Sequence, residues 1–169
     1  MGSKIKWQAW CIFTAIGWMA GVAFAQQSVE TADGRWNARK TTVILSVENN
    51  ELVIRSTATD PQIATAGFPR SAGPFVLEME VLASQSGNLQ IFARWGGAEL
   101  EKGSGIDCAV PVANQWVPVN VELLSRGNMT MLRIDPPDGS AETRLRNIRL
   151  KDSGGKVIKE WFATPAIVG

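Results

Sequence analysis

Residues 129–150, MTMLRIDPPDGSAETRLRNIRL, constrain the fold more than any other part of the chain. Leu132 and Ile134 alternate with Arg133 and Asp135, the period of a strand with one buried face. Asp135-Pro136-Pro137-Asp138-Gly139-Ser140 then stops it. Proline donates no ladder hydrogen bond, and Asp-Gly favours a turn. The chain resumes with Thr143 and Leu145 on one parity but Ile148 and Leu150 on the other. One extra residue near Arg146-Asn147 reconciles them, because a β-bulge bends a strand and keeps both apolar pairs on the same side. The spacing therefore predicts a hairpin whose second strand is bulged.

The same alternation recurs along the chain. Residues 74–82 place Phe75, Leu77, Met79 and Val81 on one face, and residues 88–95 do so with Leu89, Ile91, Ala93 and Trp95. Residues 116–123 follow suit with Val117, Val119, Val121 and Leu123. Residues 41–47 and 51–57 flank Glu48-Asn49-Asn50, a hairpin signal. Shorter strands are predicted over 62–65, 105–110 and 156–161. About nine strands with no helical stretch behind the leader predict an all-β antiparallel sandwich over 41–162. Residues 26–40 are polar and contain Asp33-Gly34; they are expected as a loose lead-in anchored by Trp36, and 163–169 as a loose tail. Trp36 and Trp161, near the two ends of the domain, are expected to pack together.

The first 25 residues read as an export signal. Lys4 and Lys6 precede an apolar run that ends in Ala23-Phe24-Ala25, a small-x-small pattern placing cleavage after Ala25. The mature chain is then expected in the periplasm or outside the cell, free of the membrane; the alternative is that the same apolar run stays attached as a membrane anchor. Cys11 leaves with the leader, so Cys108 has no intramolecular disulfide partner and is read as a buried, inert thiol. Removing Lys4 and Lys6 leaves 15 basic against 16 acidic side chains, with no basic block to attract nucleic acid. The chain contains no histidine, which removes Ser-His-Asp and Cys-His mechanisms and the commonest metal ligand together.

With these strands on the page, a resemblance emerges. ELVIRSTATDPQI, FVLEMEV, LQIFARW, QWVPVNVELL and the closing MLRIDPPDGSAETRLRNIRLKD resemble the galactose-binding-like jelly-roll modules of exported bacterial proteins, including those appended to sulfatases. The resemblance spans roughly Trp36 to Trp161. It implies a β-sandwich that binds carbohydrate or cell-surface glycan without catalysis. The other reading is a structural or protein-interaction module of the envelope. Neither the sugar nor the oligomeric state follows from it.

A sugar site needs an aromatic plate flanked by hydrogen-bonding side chains. The candidate is one sheet face carrying Gln90, Arg94, Glu78, Glu80, Asn120 and Glu122, with Trp95 at its end. The parity of Trp95 with Leu89 and Ile91 also allows it to be a core lid. Trp116, next to a strand proline, is read as a packing residue. Asp135 and Asp138 have the chemistry for calcium, but turn capping is the simpler role and no cofactor is assigned. Glu99 and Glu101 are the paired carboxylates a glycosidase would need, but a solvated loop is the simpler account of them. No enzyme activity is expected.

Overall fold

The computed structural model describes residues 27–98, 104–124 and 127–164. The leader with Cys11, and the Glu99–Glu101 pair, lie outside the described residues. The described chain is an antiparallel sandwich of two sheets. One, the β10 sheet, runs in the order β1 (Ser28–Thr31), β2 (Gly34–Ala38), β5 (Ile63–Ala66), β10 (Met129–Asp135), β7 (Gly87–Trp95), β8 (Ile106–Val110). The other, the β11 sheet, runs β3 (Val43–Glu48), β4 (Glu51–Ser56), β11 (Glu142–Asp152), β6 (Phe75–Ala83), β9 (Val117–Leu123); β12 (Val157–Trp161) also pairs with β11.

The alternation read in the sequence sets what each strand buries. Phe75, Leu77, Met79, Val81 and Ala83 of β6 are all buried, while Val76, Glu78, Glu80 and Leu82 between them are half-buried. Leu89, Ile91, Leu132, Ile134, Leu145, Ile148 and Leu150 meet them in one core. Apolar burial of this kind contributes about 25 cal/mol per Å² and needs one such face from each sheet.

Two local expectations hold. Asn49 and Asn50 have φ of 52° and 60°, and Glu48 pairs with Glu51, so a two-residue turn with both central residues left-handed joins β3 to β4. The register of β11 against β6 shifts between Arg146 and Arg149, with Asn147 at φ 51°. This bulge turns Leu145 and Ile148 to the same side. Trp36 and Trp161 also meet as expected, with ring centroids 5.6 Å apart at 71°.

Two other expectations are corrected. The predicted hairpin of residues 129–150 does not form: β10 pairs with β5 and β7, whereas β11 pairs with β4, β6 and β12. The Pro136-Pro137 break carries the chain across to the opposite sheet instead of turning it back on itself. The segment expected as a loose lead-in is a hairpin, β1–β2, in which Val29 pairs with Trp36 and both are buried. Gly34 supplies the φ of 124° at that turn, a conformation few other residues adopt.

Candidate functional site

The outer face of the β10 sheet gathers its polar residues by register. Gln90 of β7 stands between Asp107 of β8 and Asp135 of β10, and Phe92 stands beside Arg133. Because Leu89 and Ile91 face inward, Asn88, Gln90, Phe92 and Arg94 face outward together. At one end these strands and the loops around Asp60 and Asp138 enclose a cleft of about 370 Å³, lined by Asn88, Gln90, Asp107 and Asp135 among others.

Its side chains are already ordered. The Arg133 guanidinium lies 4.0 Å from the centroid of the Phe92 ring and donates to both carboxylate oxygens of Asp135, at 2.9 and 2.7 Å. Asp135 is only 4% exposed. Burial pushes its acid above the usual carboxylate range, although Arg133 pulls the other way. Gln90 Nε2 donates to Asp107 Oδ1 at 2.8 Å. Asp60, bonded by Lys40 and Gln62, is held below its usual range by those two hydrogen bonds, and its backbone N–H donates to Asp138 Oδ1 at 2.8 Å. Gly105 closes over the ring of Phe92 so tightly that a Cβ there would stand 2.6 Å from ring carbons. Carboxylates and side-chain amides arranged this way accept from and donate to hydroxyl groups.

The residues singled out from sequence do not share one face. β6 and β9 belong to the β11 sheet, and β7 to the β10 sheet. Glu78, Glu80, Asn120 and Glu122 therefore lie on the opposite side of the sandwich from Gln90 and Arg94. Of the seven, only Gln90 lines the acidic cleft. Arg94 donates to Thr130 Oγ1 at 3.2 Å toward the other end of the sheet. Trp95 is turned inward and half-buried, stacked on core Phe75 at 5.8 Å with the rings 4° from parallel. Its parity with Leu89 and Ile91 decides its place.

The β11-sheet face is laced with ion pairs. Arg144 reaches Glu48, Glu51 and Glu142 at 3.1, 3.1 and 2.7 Å, and Arg146 holds Glu80 at 2.9 Å. Lys151 pairs with Glu78 at 2.6 Å. Trp116, read from sequence as a packing residue, stands on this outer face, its ring centroid 4.0 Å from the Arg146 guanidinium. It shares parity with Pro118 and Asn120, which are both exposed, and that parity was the available signal.

Asp107, Asp135 and Arg133 were missed as neighbours of Gln90, because only the strand pairing brings them together. Among the described residues no three acidic or sulfur ligands form a metal-ligating group. Asp135 is bonded to Arg133, and Asp138 to the backbone of Asp60. Cys108 is half-buried rather than enclosed, and burial, then Asp107, push its thiol up.

Two antiparallel sheets packed on one core define this chain as a jelly-roll β-sandwich. No protein-family model matches the sequence, and no curated protein matches it. Solved structures do match the fold. One described as a family 29 carbohydrate-binding module is 8% identical, with a TM-score of 0.54, covering 75% of this chain and 82% of that one. A family 4 module is 12% identical, with a TM-score of 0.54, covering 69% and 93%. A point mutant of a family 29 module is 10% identical, with a TM-score of 0.52, covering 68% and 79%. At these identities the likeness is one of fold.

Proposed function

We propose that the chain is an exported, non-catalytic carbohydrate-binding module that holds glycan against the outer face of its β10 sheet. The observation that carries this reading is the cleft of about 370 Å³ where Asn88, Gln90, Asp107 and Asp135 converge beside the Phe92–Arg133 stack. Sugar hydroxyls need paired donors and acceptors held in place, and Arg133 and Gln90 hold two of these carboxylates before any ligand arrives. The jelly-roll fold shared with carbohydrate-binding modules supports the reading. Export rests on the Lys4-Lys6 leader and its Ala23-Phe24-Ala25 ending.

Affinity electrophoresis through gels containing neutral or sulfated polysaccharides tests the binding. Retardation on at least one, weakened by Gln90→Ala combined with Asp107→Ala, is the expected result. Free migration through every polysaccharide would overturn the reading. N-terminal sequencing of the secreted protein tests export separately, with Gln26 as the expected first residue.

A further inference from the structure

We propose that the outer face of the β11 sheet is a second saccharide-binding face, which takes an uncharged pyranose unit beside Trp116. This rests on the glycan-binding reading above. A groove of about 300 Å³ lies across the outer faces of β11, β6 and β9, lined by Asn147, Arg149, Glu78, Glu80, Pro118 and Asn120. Register sets it: Glu78 stands beside Asn120, and Glu80 beside Pro118. Trp116 lies two residues before Pro118 on the same side, and it is joined to the groove through Arg146.

That junction is held by several contacts at once. Arg146 donates to Glu80 through Nε at 2.9 Å and Nη2 at 3.3 Å, and the Asn147 amide donates to the same carboxylate. The bulge at Asn147 aims its side chain there while its backbone N–H donates to the Phe162 carbonyl at 2.8 Å. An aromatic ring and a guanidinium held in one geometry lose little freedom when a ligand docks. Trp116 is half-buried, and the indole face that Arg146 does not cover is the apolar plate offered to the CH face of a sugar. Exposed Asn120 offers donors and an acceptor to hydroxyls beside it.

Charge on this face argues for an uncharged ring. Arg146 is matched by Glu80, Lys151 by Glu78 and Arg149 by Glu160. No unpaired cation stands on this face among the described residues to draw a sulfate, and exposed Glu122 beside Asn120 on β9 adds an acid that repels one. The β10-sheet cleft looks out from the other side of the sandwich. One molecule with both faces would therefore bridge two polysaccharide chains.

The test uses purified protein with soluble hydroxyethylcellulose, glucomannan and xylan, scored by affinity electrophoresis and by turbidity of the mixture. The wild-type protein should be retarded by one of the three and cloud its solution. Trp116→Ala should still be retarded, with apparent affinity reduced by roughly 100-fold as avidity is lost, and should no longer cloud it. Asn120→Ala, at an exposed position, should act in the same direction and covers the case in which Trp116→Ala fails to fold. Retardation of the wild type without clouding would overturn the second face, as would unchanged clouding in both variants. Complete loss of retardation in folded Trp116→Ala would also overturn it, because one face would then do all the binding. Failure of all three polysaccharides to retard the wild type would overturn the glycan-binding reading, and this inference with it.

Discussion

Trp36 and Trp161 meet edge to face across the core, centroids 5.6 Å apart, and tie the second strand of the chain to its last. Both are almost fully buried, and both indole N–H groups lack an acceptor. Replacing Trp161 by Ala is expected to destabilise the fold by about 3–5 kcal/mol. Trp161→Phe should lose less, about 1–2 kcal/mol, because it keeps the aromatic contact and removes the unpaired donor. Urea denaturation of the two variants measures the difference; equal losses would show that ring contact contributes nothing there.

Thr65 pairs with Trp36 on the inward face of β5, 1% exposed, and its hydroxyl finds no partner. Thr65→Val keeps the shape and removes the buried polar group. A gain of about 1 kcal/mol is expected, read as a higher urea midpoint at unchanged slope.

Arg133 supplies both hydrogen bonds that reach the Asp135 carboxylate. Arg133→Met leaves that acid buried without its partner. The expected loss is about 2 kcal/mol at pH 7, with recovery toward acid pH as Asp135 takes up a proton. The sign follows from burial: with its cation gone, the acid's folded pKa rises further, so stability falls as pH rises through it. Thermal unfolding of Arg133→Met between pH 3 and 7 checks this, as does the double variant with Asp135→Asn, which should flatten the curve.

Acid should weaken the β11 sheet for the opposite reason. Glu48 and Glu80 are held below the ordinary glutamate range, first by hydrogen bonds from Arg55 and Arg146 respectively. A depressed acid stabilises the fold above its unfolded pKa of about 4.3 and loses that contribution as pH falls toward the folded value. The melting temperature of the wild type should therefore drop below about pH 4.3, and Glu80→Gln should reduce that drop. High salt should change it little at Glu80, where the pairing guanidinium is also held against Trp116.

What the sequence disclosed was mostly what short-range chemistry controls. The bulge at Asn147 was legible because one residue inverts the parity between Leu145 and Ile148. The β3–β4 turn was legible because two consecutive asparagines tolerate left-handed backbone. The placement of β6 and β7 was not. Both alternate alike, yet one pairs with β11 and the other with β10, over separations no local pattern records. That choice divided the expected site between two faces, leaving Gln90 on one and Asn120 on the other. The β1–β2 hairpin escaped notice although Asp33-Gly34 marked its turn, because each strand is only four or five residues long. Trp116 could have been placed outside by its parity with Asn120; its proximity to Pro118 drew attention instead to packing.

The shared edge of β11 has a mechanical corollary. Up to Leu145 that edge belongs to β4, and from Ile148 onward it belongs to β12. Tension applied through the chain beyond Trp161 first loads the hydrogen bonds that join Thr164 and Phe162 to Asn147, and then enters the ladder at the Ile148–Trp161 rung, where the indole is clasped by Trp36 and Phe68. β12 is thus riveted at the end where a tug arrives, and a partner tethered there would strain against this aromatic cluster before unzipping a further rung.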